Sequence, residues 1–234
     1  MELLDNLDSE DRTDNTSAIL SFSIGNLILK DSLLFDYLST THASRNDVDF
    51  YETTIESCIK NIEENVSEFG IIVIDDFQKT LLTSRSARMG LECIELDEGY
   101  PYYHLHRNHS LANQDEIRID SLMHFPFVQL KTDEYTALRY EKLKEEYPDI
   151  SVRRCIVVNH YPSYLSIIKN SDAFAIGNKW QISELEKMGI QSIRFSSFNH
   201  KVHLMIIKKE LLPLSTQAKR FIHLFKDSYG LDGA

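Results

Sequence analysis

The feature that constrains the fold of this chain most strongly is an unbroken apolar run that directly follows an amphipathic helical pattern. The run occupies residues 71–74, Ile-Ile-Val-Ile, and a strand without polar positions is typical of a parallel sheet covered by helices on both faces. Ahead of it, apolar residues recur at steps of three and four from Ile55 to Phe69, and Thr53 with Glu56 forms a capping-box pattern. This order predicts a helix that leads into a parallel strand through a right-handed crossover.

An earlier strand and helix extend the pattern to β-α-β-α-β. The first strand is predicted at residues 20–24 and the second near residues 48–50. Asn26 is predicted to be the N-cap of a helix over residues 27–38, because its side chain can accept a hydrogen bond from a free amide at a helix start. The same helix terminus could present backbone N–H groups to an anion, and the two roles are compatible.

A break at residues 97–101, Asp-Glu-Gly-Tyr-Pro, separates a second group of strands and helices from the first. The last elements then return to the first group, so the chain crosses twice between two α/β lobes. The predicted division is a tail, a first lobe in two segments and a second lobe between them: residues 1–17, then 18–98 with 200–234, then 99–199.

Composition restricts the classes of function. The formal net charge is −11, whereas a domain that grips DNA phosphates usually has a basic face, so this chain by itself is not expected to bind nucleic acid. Cys58, Cys93 and Cys155 are far apart and odd in number, which favours reduced thiols in a cytosolic protein. Apolar runs are too short to span a membrane, and residues 1–17 lack the regions of a signal peptide. We therefore expect a cytoplasmic protein without a membrane partner.

Catalytic and metal-binding patterns give no candidate. The sequence lacks the Gly-x-Ser-x-Gly, P-loop, Gly-x-Gly-x-x-Gly and His-Glu-x-x-His motifs. His104, His106 and His109 are expected to face solvent, because neither a further ligand nor an acidic partner at a fitting distance is evident. Cys155 precedes His160 closely, but its apolar strand favours a structural thiol. We expect no catalytic residue, no metal and no cofactor.

Motifs in a fixed order carry a resemblance to a known family. A strand leads to a turn at residues 109–112, His-Ser-Leu-Ala, and residues 121–127 then read Ser-Leu-Met-His-Phe-Pro-Phe. Near the end, a strand at residues 203–207 is followed by Leu-Pro-Leu-Ser at 212–215 and Ala-Lys-Arg-Phe-Ile at 218–222. In this order the motifs resemble the effector domain of LysR-type transcriptional regulators over nearly the whole chain.

The resemblance implies an α/β, periplasmic-binding-protein-like fold of type 2, in which two Rossmann-like lobes are joined by two crossing strands. It also implies a small-molecule effector between the lobes, a homodimer or tetramer, and contact with DNA only through a helix-turn-helix domain outside this chain. The alternative on the same fold is a solute-binding receptor of a transporter, which the missing signal segment disfavours. An enzyme on this fold is a third hypothesis, but no residue pattern in the sequence supports it.

Residues at the predicted ends of elements are the candidates for the effector site, because open α/β folds bind ligands outside the carboxyl ends of their strands. For Asp75 a site role and a solvated loop are equally well supported, and for the others an exposed loop position is the alternative. In the resembling family, the turn after the first strand often offers a Ser or Thr hydroxyl to a ligand. Here that turn reads Gly-Asn-Leu-Ile at residues 25–28 and has no hydroxyl side chain. The predicted effector-binding residues are Asn26, Leu27, Ile28, Asp75, Gln129, Lys131, His160 and Asn178.

The first helix has more apolar residues than one buried face requires. An amphipathic helix usually leaves its far side polar, and contiguous exposed apolar patches are rare on monomers. Either a second chain or the C-terminal helix near residues 218–225 is expected to cover the extra surface. In the resembling family this helix and the next strand pack on a partner's second lobe, so a predicted helix at 135–147 is the counterpart. The predicted interface residues are Leu34, Phe35, Leu38 and Phe50.

Overall fold

The computed structural model describes residues 18–40, 46–131, 145, 154–194 and 200–231. The strands are β1 (Ala18–Gly25), β2 (Asn46–Thr53), β3 (Phe69–Asp75), β4 (Leu91–Gly99), β5 (Pro101–His106), β6 (Phe127–Leu130), β7 (Cys155–Val158), β8 (Ala175–Asn178), β9 (Ile190–Arg194) and β10 (Val202–Lys209). The helices are α1 (Asp31–Thr40), α2 (Ile55–Glu63), α3 (Asp76–Met89), α4 (Ile119–Leu122), α5 (Tyr161–Asn170), α6 (Ile182–Lys187) and α7 (Thr216–Tyr229), with a 3₁₀ turn at Lys179–Gln181. None of the described helices is both long and apolar enough to span a membrane.

A first sheet of five strands has the order β2-β1-β3-β10-β4. β1 pairs in parallel with both β2 and β3, which confirms the predicted β-α-β-α-β pattern. β10 runs antiparallel between β3 and β4. α1 and α7 pack on one face, where the Phe22 and Phe221 rings lie 4.4 Å apart, and α2 and α3 pack on the other. β3 is therefore buried along its whole length, which explains its unbroken apolar run.

A second sheet is formed by β8, β5 and β9, which pair antiparallel. β6 and β7 form a parallel pair, and a bridge between Phe127 and Phe174 connects this pair to the segment that leads into β8. β4 is followed directly by β5, and β10 starts beside the end of β4, where Val202 pairs with Gly99. The chain therefore leaves and re-enters the first sheet at neighbouring positions.

The helix predicted over residues 27–38, with Asn26 as its N-cap, is wrong at its start. α1 begins at Asp31, and the four preceding residues belong to neither a helix nor a strand. Asn26 follows β1 and lies in the left-handed region, with φ of 59°, which a helix N-cap does not adopt. The next three residues are all buried, with exposed fractions of 2% for Leu27, 9% for Ile28 and 7% for Leu29. Three consecutive positions cannot share one face of a helix, so this burial does not fit the predicted helix start.

Two further differences concern helices. The N-cap of α2 is Thr54 rather than Thr53, and its hydroxyl oxygen accepts a hydrogen bond from the Ser57 amide at 3.2 Å. α3 was not predicted, because its apolar residues do not recur on one face; it begins with a capping box between Asp75 and Gln78.

Some predictions fall on parts of the chain outside the described residues. These are the tail at residues 1–17 and most of the helix predicted at 135–147, of which Glu145 alone is described and is helical. The proposed counterpart of α1 in a dimer therefore stays a prediction.

Candidate functional site

A cavity of about 510 Å³ lies between the two sheets, where several parallel strands end. Asn26, Glu52 and Thr54 line it from the side of the first sheet, and Gln129 and Tyr161 line it from the side of the second. The carboxyl ends of strands are the usual ligand position in open α/β folds. The volume also falls within the range of small-molecule sites.

Asn26 joins the two sides at the floor of this cavity. Its side-chain amide donates to the carbonyl oxygen of Val73 in β3 at 3.0 Å, which holds the residue to the first sheet. Its own carbonyl oxygen accepts hydrogen bonds from the amides of Asn178 at 3.0 Å and Gln181 at 3.3 Å. Because Asn178 ends β8 and Gln181 lies in the 3₁₀ turn that follows it, Asn26 is a direct polar link between the two sheets.

Gln181 extends this link into the cavity wall. Its side-chain amide also donates to the hydroxyl of Tyr161 at 3.0 Å. Burial raises the pKa of Tyr161 well above its ordinary value, so the hydroxyl stays neutral. On the same side, the Gln129 carbonyl oxygen Oε1 is buried without a hydrogen-bond partner among the described residues.

Acidic and hydroxyl groups characterise the first-sheet side. Glu52 lies at the end of β2, and partial burial raises the pKa of its carboxyl group above the ordinary value. The Thr54 hydroxyl lies 3.1 Å from the Ser57 hydroxyl in addition to capping α2. Glu52 therefore carries the negative charge of this wall, while Thr54 is engaged in local structure.

The structure brings most of the predicted site residues together. Those that line the cavity are Asn26, Leu27, Gln129, Lys131 and His160. The remaining three lie beside it. The Asn178 amide donates to the Asn26 carbonyl oxygen, Asp75 caps α3, and Ile28 packs in an apolar cluster with Val128 and Tyr164.

Sequence reasoning missed several lining residues: Glu52, Thr54, Gln78, Tyr161 and Gln181. For Glu52 and Thr54 a signal existed, because both stand where a predicted parallel strand ends and a predicted helix begins. Tyr161 precedes a proline at the first turn of α5, which also marks a helix start. Gln181 lies in a 3₁₀ turn that no periodic pattern announces.

The prediction that His104, His106 and His109 face solvent is wrong for two of them. His104 and His109 are buried, at 1% and 4% exposure. The Nδ1 atom of His104 lies 2.9 Å from the Ser192 hydroxyl, and the ring of His109 packs on Phe125 at 4.3 Å. The alternation of buried and exposed side chains that a strand pattern assumes does not hold in β5, because residues 103–105 are all buried.

A charged cluster lies where the chain passes between the sheets. The ring nitrogens of buried His203 lie 2.6 Å from Glu95 and 2.8 Å from Asp76. Possible ligand atoms of Glu95, Glu98 and His203 lie within 4.8 Å of one another. Lys79 and Lys201 already form ion pairs with these glutamates, so the cluster is a network of ion pairs within the protein, and the absence of a metal site stays a prediction.

Solved structures share this fold. The effector binding domain of QuiR in complex with shikimate is 12% identical, with a TM-score of 0.64 over 92% of this chain and 98% of that chain. The C-terminal domain of a probable LysR family transcriptional regulator from Rhodococcus sp. RHA1 is 15% identical, with a TM-score of 0.63 over 90% of this chain and 100% of that chain. Full-length CbnR complexed with its target DNA is 17% identical, with a TM-score of 0.60 over 90% of this chain and 70% of that chain.

The fold is therefore the periplasmic-binding-protein-like α/β fold of type 2, as predicted. No curated protein matches the sequence. The sequence model described as "LysR substrate binding domain" matches residues 76–230, which is well over half of the chain. The chain thus belongs to the LysR substrate binding domain family, the effector-sensing part of LysR-type transcription regulators.

Proposed function

We propose that the chain senses a small-molecule effector in the cavity between its sheets and passes the change to a DNA-binding domain outside this chain. The observation that carries the proposal is the position of Asn26, which lines the cavity and also holds the two sides together. A ligand that binds one arrangement of the two sides more tightly shifts the population toward it. The shikimate complex of QuiR supports a small-molecule ligand on this fold.

The proposed effector-binding set keeps all eight predicted residues in two roles. Asn26, Leu27, Gln129, Lys131 and His160 contact the ligand, because they line the cavity. The others support the contacts from behind, since each packs against or holds a lining element: Ile28, Asp75 and Asn178. The proposed lobes are residues 18–98 with 200–234, and residues 99–199.

The proposed assembly is a homodimer, or a tetramer built from it, through α1 and β2. Phe35 and Leu38 are 72% and 47% exposed on α1, while Leu34 and Phe50 are partly buried against the core of the first sheet. β2 is also an edge strand of the first sheet, so no described strand pairs with its outer side. Contiguous exposed apolar residues of this kind favour a partner chain.

The proposed role requires no catalysis, and the proposed location is the cytoplasm, where a regulator of transcription would meet DNA. DNA is contacted through another domain, since the net charge of −11 disfavours phosphate binding by this chain. The complex of full-length CbnR with DNA supports such a division of labour. In a mobility-shift assay the chain alone should leave a DNA duplex unshifted, and tight, salt-sensitive binding would refute this part.

The cavity is tested by filling it. Thr53→Trp places a large ring into the cavity from the end of β2, where Thr53 is half-buried. Small-molecule fragments that raise the melting temperature of the wild-type chain should fail to stabilise Thr53→Trp. Thr80→Trp, on an exposed position of α3 outside the cavity, is the matched control and should keep the response. Fragments that stabilise all three chains equally bind elsewhere and would refute the site.

A further inference from the structure

We propose that an apolar groove near the start of β1 and β3 is a docking site for residues 1–7 of this same chain. The groove has a volume of about 300 Å³ and lies between the turn from α2 to β3 and the segment that connects β10 to α7. Because β1 and β3 are parallel and their other ends border the cavity, this groove lies at the opposite end of the first sheet from the effector site.

Large apolar side chains are exposed on both walls of this groove. Leu211 and Leu212 follow β10 and are 90% and 54% exposed, and Leu212 lines the groove. On the other wall, Val66 is 39% exposed in the turn before β3. The two walls are joined directly, because the Lys209 ammonium group donates to the side-chain oxygen of Asn65 at 2.6 Å.

The same patch continues onto β1. Ile19 is 51% exposed, and it shares a face of the strand with Ser21, which lines the groove, because alternate residues of a strand point to the same side. Four exposed large apolar residues therefore lie at or beside one groove, on three separate segments. Monomers rarely expose contiguous apolar patches, so this surface is expected to be covered by a binding segment.

Residues 1–17 enter the fold beside this patch. They lead directly into β1, which starts at Ala18, and Ser21 follows at about 10 Å along the strand. Residues 8–17 can span up to about 35 Å when extended, so residues 1–7 reach the groove easily. The position of the patch therefore favours the chain's own first residues as its occupant.

The composition of this stretch fits an apolar docking site at one end only. The apolar residues of 1–17 are all among the first seven: Met1, Leu3, Leu4 and Leu7. Residues 8–17 read Asp-Ser-Glu-Asp-Arg-Thr-Asp-Asn-Thr-Ser and contain no large apolar side chain. Burial in an apolar groove thus favours residues 1–7, with residues 8–17 as the polar connection.

Charge adds a specific contact. Lys209 lines the groove and forms no ion pair with a carboxylate among the described residues, whereas neighbouring Lys208 pairs with Glu92. The Glu68 carboxylate at the groove already accepts hydrogen bonds from the Ser215 amide and hydroxyl. Residues 1–17 contain six acidic residues and one arginine, a formal charge of −5, so one of their carboxylates can pair with Lys209.

A second copy of the chain fits the groove less well. In a dimer with two-fold symmetry the same patch would face itself, which would bring two Lys209 side chains without carboxylate partners into one interface. The acidic segment of the same chain offers opposite charge instead.

Zero-length cross-linking with a carbodiimide tests the docking, because this reagent joins a lysine to a carboxylate only when the two groups are in contact. A mixture of unlabelled and isotope-labelled 234-residue chain is cross-linked at neutral pH, and the linked peptides are identified by mass spectrometry. Lys209 should be linked to acidic residues of 1–8 within one chain. A segment that does not dock should give mainly links to acidic residues of 9–17, which are closer to β1. The pair of Lys208 and Glu92, at 2.6 Å, is the internal positive control.

Two variants separate docking from mere proximity. Leu3→Ser with Leu4→Ser and Leu7→Ser keeps every charge but removes the apolar contacts, so the yield of links between Lys209 and residues 1–8 should fall at least about fivefold. Leu212→Ser, on the groove, should lower the yield in the same way. Val157→Ser is the matched control, because Val157 is 53% exposed on β7, and it should leave the yield unchanged. Circular dichroism checks that each variant is folded.

Every outcome decides for or against the docking. Links within one chain that both leucine variants weaken would support it. Equal yields in the wild type and the triple variant, or a link between Lys208 and Glu92 without links to residues 1–8, would overturn it. Links between labelled and unlabelled chains would assign the groove to a second copy, and a yield that Leu212→Ser does not change would exclude the groove as the site. None of these results bears on the effector cavity, which is at the other end of the sheet.

Discussion

Replacement of the buried histidine in β5 should change how the stability of the domain depends on pH. His104 is 1% exposed, and a Cβ atom on Gly177 would lie 2.2 Å from its Nε2 atom, so β8 passes directly beside the ring. Burial lowers the pKa of His104 from 6.5 to about 3. The folded domain therefore keeps the imidazole neutral at every pH above about 3, while the unfolded chain protonates it below its ordinary pKa.

The size of the effect follows from this difference in pKa. Below pH of about 6.5 the unfolded chain binds one proton more than the folded domain, so stability falls as pH falls. The loss starts near pH 6.5 and grows until the pKa of the folded state is reached. At about pH 5 the unfolded histidine is about 1.5 pH units below its pKa, which corresponds to about 2 kcal/mol of lost unfolding free energy.

Urea denaturation of the wild type and His104→Gln at about pH 7 and about pH 5 measures this loss. Glutamine does not titrate, so the variant should lose about 2 kcal/mol less between the two pH values, whatever its stability at neutral pH. His223→Gln, an exposed position of α7, is the control and should follow the wild type. An equal pH dependence in the wild type and His104→Gln would show that the folded state does not exclude the proton, and would refute the reasoning.

Three further predictions concern the charged cluster around His203, the hydrogen bond between Asn178 and Asn26, and the exposed apolar side of α1. Burial alone would raise the pKa values of Asp76 and Glu95, but hydrogen bonds from His203 and neighbouring groups outweigh it and lower both. These interactions should stabilise the fold fully above the ordinary carboxyl pKa of about 4, and this stabilisation should be lost as the pH falls below it. In urea denaturation, Asp76→Asn should therefore lose less unfolding free energy on acidification than the wild type does, by up to about 1 kcal/mol for this half-exposed group. Asn178→Ala should lower the unfolding free energy by about 1 kcal/mol and weaken ligand binding, and unchanged calorimetric affinity would contradict its role. Phe35→Asp with Leu38→Asp should give a folded monomer in sedimentation, whereas an unfolded chain would place these side chains in the core.

The fold was predictable where apolar periodicity and burial agree. The run at residues 71–74 identified a strand covered on both faces, and β3 is such a strand. α3 could not be predicted from apolar periodicity, because its apolar residues form no stripe and the clearest local signal is the capping box between Asp75 and Gln78. His104 was assigned to solvent because strand alternation assumes one exposed face, which β5 lacks.

The position of the candidate site was more predictable from the sequence than its full set of residues. The rule that ligands lie at the carboxyl ends of strands selected Asn26 and Gln129, and both line the cavity. The same rule cannot identify Gln181, because its contact with Asn26 depends on how the two sheets approach each other.

The residue whose local structure was predicted wrongly is the one that joins the two sides of the cavity. As the N-cap of a helix, Asn26 would direct its carbonyl group into that helix. In the left-handed conformation the carbonyl oxygen instead accepts from Asn178 and Gln181. Gln181 also lines the cavity and donates to Tyr161, so a ligand that engages either side chain acts on the same donor that holds Asn26. Local rules commonly fail at functional sites, and here the failure lies where occupancy of the cavity would alter the link between the sheets.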